Sequence, residues 1–341
     1  VNITGTPVGH FTGKIDQIRI YNSAISAANV TTLYNEIECP AVAVTNAFNT
    51  VLWTGDGISG RAISVGFQPD MSWYKSRNNA YDHNLSDSVR GAQKQIRPNR
   101  DIAEVSATDQ ITAFTSTGLT LGSGGDANGG SNQTYVAWNW KAGGTAVSNT
   151  DGTITSQVSA NVDAGFSIVK FTSNASTLTA GHGLNSIPDL IIVKATSFAD
   201  SWFVNSSALT NQTNRALRLN QSSAEETNNA FWNNTAPTST TFSLGNGVSI
   251  SGQSYIAYCF HSVSGYSKVG SYIGTGTSGN FVYTGFQPRF VLVKPTYADS
   301  WRIVGFNGTY ELRPNSSGAE SNNNVLTINP TGFTLNTADA N

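Results

Sequence analysis

The chain has 341 residues, a formal net charge of −2 and a charged fraction of 12%, about half the ~25% of ordinary soluble domains. Near-neutral charge gives no basic footprint for nucleic acid, and no apolar run approaches the ~20 residues that cross a bilayer as a helix. The 33 glycines, with abundant Ser, Thr and Asn, supply the turns and polar faces of a β protein.

In chain order, KIDQIRIY (14–21) reads as a strand with Ile15, Ile18 and Ile20 as its apolar positions. SAISAANVTTLYNE (23–36) follows, with Ile25, Val30, Leu33 and Tyr34 at helical spacing behind a candidate N-cap at Ser23 or Ser26. Cys39-Pro40 ends that segment. Val1 is not an initiator Met, so the natural polypeptide is expected to extend beyond this sequence at its start.

A pattern then appears three times. FQPDMSWYK, IPDLIIVK and FQPRFVLVK carry Pro69, Pro188 and Pro288, each followed six residues later by Lys75, Lys194 and Lys294. A second block follows each: IRPNRDIAE, LRLNQSSAE and LRPNSSGAE, with Arg97, Arg218 and Arg313 leading to Glu104, Glu225 and Glu320. Two blocks kept in one order three times mark an internal repeat. The prolines stand 119 and 100 residues apart, about the length of a β-sandwich domain, ~100 residues.

A third matching strand, QTYVAWNW (133–140) and QSYIAYCF (253–260), closes the first two copies; the third copy stops soon after GFTLN, the counterpart of GLTLG (118–122). Alternation puts Ile256, Tyr258 and Phe260 on one face, with Val136, Trp138 and Trp140 their counterparts, and the bulky face is expected in the core. AGFSIVKFT (from Ala164) and SGYSKVGSY (from Ser264) match as opening strands. The expected fold is all-β: tandem β-sandwich modules, two complete plus one truncated. Their expected bounds are 41–144, 145–262 including a linker, and 263–341, after a separate segment 1–38.

Residues present in all three copies are expected to hold the scaffold, whereas a residue present in one copy can carry a private function. Lys75, Lys194, Lys294, Arg97, Arg218, Arg313, Glu104, Glu225 and Glu320 belong to the first class. Scarce charges need partners, so each Glu is expected to pair with the Arg or Lys of its own copy. The private set is Trp73, Tyr74, Tyr81, Asp82 and His83, where copies two and three share FADSW and YADSW. Rings beside Asp and His suit a glycan; the competing reading makes Trp73 and Trp202 core residues.

The chain lacks G-x-S-x-G, H-E-x-x-H, C-x-x-C and a P-loop. His10, His83, His182 and His261 lack metal-ligand spacing, and no cofactor or metal is expected. Cys39 and Cys259 read as unpaired thiols.

FTGKIDQIRIYNSAISAANVTTLY (11–34) resembles the closing strand and helix of a laminin-G/concanavalin A-like jelly roll. The runs GFQPDMSWYKSR, DSVRGA, GLTLG, YVAWNWKAGG and NTDGTITSQVSANVDAGFSIV resemble a repeated β-domain of tailed-bacteriophage virion proteins, many of them marine. That resemblance implies a tail fibre or other external appendage on the virion surface, without catalytic residues and with other virion proteins as partners. It also implies a homotrimer and a host-surface glycan bound by several weak sites acting together. Three other readings stand beside it: a lectin-like bacterial adhesin, accessory modules of a polysaccharide-degrading enzyme, and a capsid decoration protein without glycan binding.

Overall fold

The computed structural model describes residues 24, 26, 44, 46–130, 132–305 and 309–337. Apart from Ala24 and Ser26, the expected N-terminal strand and helix, Cys39 and the concanavalin A-like ending lie outside them. Val1–Pro40 and Ala41–Asn341 are two compact units, and the fold described below is that of the second.

The fold is all-β with several antiparallel sheets. The first repeat comprises β1 (Phe48–Thr54), β2 (Arg61–Ser64), β3 (Met71–Ser76), β4 (Asn84–Asp87), β5 (Gly91–Ile96), β6 (Val105–Ser106), β7 (Ile111–Thr115), β8 (Gly118–Leu121), a one-turn helix α1 (Gly125–Asn128) and β9 (Thr134–Trp140). The second has β10 (Val147–Asn149), β11 (Ser156–Asn161), β12 (Phe166–Thr172), β13 (Leu178–Gly181), β14 (Leu190–Ala195), β15 (Phe203–Ser206), β16 (Arg215–Arg218), β17 (Glu226–Thr227), β18 (Thr241–Leu244) and β19 (Ser254–Phe260). The third has β20 (Asn280–Tyr283), β21 (Phe290–Val293), β22 (Arg302–Gly305), β23 (Tyr310–Leu312), β24 (Ser321–Asn322), β25 (Leu326–Asn329) and β26 (Gly332–Leu335).

Sheet order repeats with the sequence. The first repeat has a large sheet β1-β9-β3-β4-β5-β6 and a small one β2-β8-β7. The second keeps β12-β19-β14-β15-β16-β17, extended by β11 and β10, with β13-β18 as its small sheet. The third keeps β21-β22-β23-β24 and β20-β26-β25. The Pro-to-Lys run is therefore the same strand each time (β3, β14, β21), and the Arg of the second block follows or ends β5, β16 and β23.

Each large sheet is covered on both faces. Every residue of β3 is buried, as are five of the six in β14, which explains why LIIVK shows no alternation: neither face meets water. Outward, each repeat has its own core, built on Tyr74, Leu119 and Tyr135 in the first, Phe171, Trp232 and Tyr255 in the second, and Val304, Leu326 and Phe333 in the third. Inward, all three share one core. Trp73, Trp138 and Trp140 meet Phe166, Ile192, Trp202 and Tyr258, together with Trp301, Ile303 and Leu312. As the alternation predicts, Val136, Trp138 and Trp140 face that shared core, as do Ile256 and Tyr258 with Phe260 packed against it; Tyr255, Ala257 and Cys259 are buried on the opposite side.

Burial of large apolar side chains is the dominant favourable term in folding, and here a single core draws on all three repeats. Differential scanning calorimetry of residues 41–341 is expected to give one endotherm whose calorimetric and van't Hoff enthalpies agree. Three resolvable transitions would contradict a shared core.

Candidate functional site: the joints between repeats

The second block of each repeat leaves its own sheet and seals against the next. The Glu104 amide donates to the Thr196 carbonyl at 2.9 Å, Glu225 to Thr296 at 2.8 Å and Glu320 to Arg77 at 2.6 Å. Thr196, Thr296 and Arg77 each lie two residues after the repeated Lys, so these are three copies of one contact. They run from repeat one to two, two to three, and three back to one. The ring is closed, as a head-to-tail interface must be if it is not to propagate.

A second contact accompanies the first. Trp202 Nε1 donates to the carbonyls of Arg97 and Arg100 at 3.0 and 3.1 Å, and Trp301 Nε1 to that of Arg218 at 2.8 Å. In the first repeat the residue immediately before β4 is His83, where Trp202 and Trp301 immediately precede β15 and β22. The backbone of each is held by the Asn of its own R-x-N: His83 N to Asn99 Oδ1 at 2.9 Å, Trp202 N to Asn220 Oδ1 at 3.0 Å and Trp301 N to Asn315 Oδ1 at 3.1 Å. Those three asparagines have structural work that the charged positions of the motif had obscured, although their presence in every copy was readable.

His83 is fully buried. Trp73 Nε1 donates to its Nδ1 at 3.1 Å, so Nδ1 is the acceptor nitrogen and Nε2 carries the proton. Nε2 makes no hydrogen bond of good geometry, yet the Arg313 carbonyl of the third repeat acts on the ring in favour of a proton, the same carbonyl position that Trp202 and Trp301 engage at the other joints. Burial, helped by the Lys75 charge, pushes the imidazole pKa down to about 3. Trp73 holds the place of Ile192 and Leu292, two residues before each Lys. Copy one therefore exchanges an aliphatic–Trp pair for Trp–His.

The glycan assignment for Trp73, Tyr74, Asp82 and His83 fails on burial: Trp73 is 3% exposed and Tyr74 fully buried, and a ring without an open face cannot stack on a sugar. Tyr74 hydroxyl accepts from Gln95 Nε2 at 2.8 Å. Asp82 accepts from Arg97, Asn99 and Arg100 at 2.8, 2.6 and 3.0 Å. Burial raises the Asp82 carboxyl pKa, but the Asn99 and Arg100 hydrogen bonds and the two arginine charges outweigh it and hold the group below its usual value. Tyr81 is half-buried.

The charged triplets also pair differently from expectation. Glu104 pairs with Arg90 at 3.0 Å and Glu225 with Arg215 at 3.9 Å, while Glu320 crosses the ring to Arg77 at 2.7 Å. Arg97, Arg218 and Arg313 instead reach Asp82, Glu226 and Glu311 at 2.8, 3.1 and 3.0 Å. The reason is geometric: the loop carries its Glu away from its own Pro-to-Lys strand toward the neighbour. The lysines bind carbonyl oxygens. Lys75 Nζ donates to Ser76 and Asn79, Lys194 to Asp200 and, across the joint, to Asp101 at 3.2 Å, and Lys294 to Pro295 and Tyr297. Burial pulls the Lys75 and Lys194 pKa values down to about 8.

Deeper in the first joint, Arg90 pairs with Asp87 at 2.6 Å, and the Tyr258 hydroxyl of the second repeat donates to the same carboxylate at 2.6 Å. Cys259 is a free, buried thiol, and burial raises its pKa. Among the described residues no group of three or more His, Cys, Asp or Glu could hold a metal ion.

Residues 43–341 match a family model described as a domain of unknown function, DUF7483. The chain belongs to the DUF7483 family. That model treats as one domain the stretch that holds all three repeats. No curated protein and no solved structure matches the chain.

Two expectations follow from the joints. Folded His83 titrates near 3 against ~6.5 unfolded, so its contribution is complete above pH 6.5 and is lost as pH falls toward 3, by about 1.4 kcal/mol per unit. Converting copy one to the pattern of the others, Trp73→Leu with His83→Trp, is expected to remove that slope between pH 6.5 and 5. His83→Trp alone overpacks the site and costs about 1–3 kcal/mol; urea unfolding of the single and double variants at several pH values reads both effects. For the closing ion pair, a double-mutant cycle of Arg77→Ala and Glu320→Ala is expected to give a coupling of about 1 kcal/mol that shrinks in high salt.

Proposed function

We propose that this chain is a structural component of a virion appendage of a tailed bacteriophage, a tail fibre or other external fibre, in which the three-repeat ring is a rigid building block. The observation that carries this reading is the use of the repeated set. The Glu and Asn common to the three copies, and the Trp of the second and third, seal one repeat to another or fix the residues that do so, which suits a part that bears load. The resemblance to virion β-domains supplies the setting. Within it, each large sheet and the small sheet facing it across an outer core are read as one β-sandwich module, two complete and the third short of strands.

The proposal keeps other virion proteins as partners and the homotrimer that the resemblance implies. It assigns no glycan contact to the first repeat, where Trp73, Tyr74 and His83 are buried and Tyr81 is half-buried. Of the other readings, a capsid decoration protein shares the structural role and differs in position on the particle; a bacterial adhesin differs in being anchored to a cell.

Immunogold labelling of native particles with antibody raised against residues 41–341 tests the reading. Gold on filaments projecting from the tail is expected. Label confined to the capsid shell would move the chain to the decoration class, and label on bacterial envelopes with none on particles would overturn a virion role.

A further inference from the structure

The third repeat has a sheet edge that the other two fill. β3 and β14 are flanked by β4 and β15 on one side and by β9 and β19 on the other. β21 pairs with β22 alone among the described residues. β9 and β19 do more than cover an edge, because each sends three large side chains into the shared core: Val136, Trp138 and Trp140 from one, and Ile256, Tyr258 and Phe260 from the other. At the place of a third set the structure has a cleft of about 1380 Å³, with Trp140, Phe260, Phe290, Leu292 and Trp301 among its walls.

Three further observations point to the same missing element. Residues 266–272 match β12 in sequence, yet they form no strand. In the second repeat β12 is joined to β14 only through β19, so without a counterpart of β19 the matching segment has nothing to pair with. The Tyr266 hydroxyl, in the wall of the cleft, is buried without a hydrogen-bond partner, an arrangement that costs free energy until a partner arrives. Finally, Asp70 and Asp189 clip the chain leaving β9 and β19: the amides of Ala142 and Ser262 donate to their carboxylates, each at 2.8 Å. The third copy has Arg289 at that position, which has no acceptor for a backbone amide and would instead meet an anionic group on the departing chain.

We propose that the β21 edge and the cleft beside it are the seat of one more antiparallel strand, contributed by the same polypeptide downstream of the β25–β26 hairpin. β9 starts 13 residues after β8 ends and β19 starts 10 after β18 ends; the same distances counted from Leu335 place the new strand's start at about residue 345–348. Its inward positions carry alternating large apolar side chains, and an acidic residue follows its last aromatic, where Lys141 and His261 stand in the first two repeats, to meet Arg289. When it docks, residues 266–272 gain a partner and become the outer strand. The mode is strand addition to an open edge, in which backbone hydrogen bonds supply affinity and side-chain pockets supply specificity.

The probe is a synthetic peptide, QSYIAYCF followed by Glu, added to the 341-residue chain. Tryptophan fluorescence is expected to titrate to one peptide per chain, and hydrogen exchange to show the amides of residues 290–293 that point away from β22, and those of 266–272, becoming protected. A peptide with Ser at the positions of Ile256, Tyr258 and Phe260 is expected not to bind. Leu292→Lys, checked for an unchanged unfolding transition without peptide, is expected to weaken binding by ~10-fold or more. Equal binding of the Ser peptide, no binding of the apolar one, or protection in the free monomer of the amides of residues 290–293 that point away from β22 would overturn the proposal. Sedimentation read in parallel separates the source: protection that appears only with a dimer would assign the edge to a second copy and overturn contribution by the same polypeptide.

Discussion

A buried backbone carbonyl must find a donor, and in this fold the carbonyls of Arg97 and Arg218 find theirs in the indole of the next repeat. That requirement places the R-x-N loop over its neighbour and puts Trp202 and Trp301 on the inner side of their sheets, where the shared core forms around them. The Asn two residues on completes the arrangement by holding the backbone of its own repeat's ring-bearing residue. One short motif thus serves two repeats: its Asn side chain serves the repeat that bears it, its carbonyl the repeat beyond.

Charge is used sparingly and close to neutral groups. Lys194 bridges two repeats by donating to carbonyls from each, at the expense of a lowered pKa. A buried cation bound by peptide dipoles alone pays for its desolvation only in part, so the lysine contributes positional definition more than stability. The carboxylates are placed otherwise. Glu311 accepts from two arginines and from Asn323, and Asp87 from Arg90 and Tyr258, so the fully buried acids are each multiply satisfied.

Much of this could be read from sequence, and the limits have a physical cause. The recurrence of Pro, Lys, Arg and Glu marked equivalent strands, and the alternation in QTYVAWNW and QSYIAYCF identified the face that carries the bulky residues. What sequence could not supply was which repeat a loop packs against, because a contact within a copy and a contact to the next copy leave the same motif spacing. Hence Glu320 was expected beside Arg313 or Lys294 and lies against Arg77. The equivalence of His83 with Trp202 was concealed for a different reason: Trp73, two positions before Lys75, places an indole in copy one at a position the other copies fill with Ile192 and Leu292. Counting from the lysine would have revealed it, since His83 and Trp202 both stand eight residues on and Trp301 seven. The concanavalin A-like ending lies outside the described residues, and of the expected glycan rings Trp73 and His83 line a joint while Tyr74 fills the outer core of the first repeat.

Closure of the ring also imposes an order in time. The contact between Arg77 and Glu320 spans 243 residues, whereas the other two joints link each repeat to the one made immediately after it. On a chain synthesised from its N-terminus, the first joint can form once the second repeat has emerged and the second joint once the third has. The face bearing Arg77 and His83 must wait for the whole of the remaining chain. Long-range pairing of this kind is slow, and surface left open in the interval is a route to wrong association. The first repeat is also where copy one departs from its siblings, with Trp73 and His83 in place of the aliphatic–Trp pair, so the surface exposed longest carries its own variant of the joint.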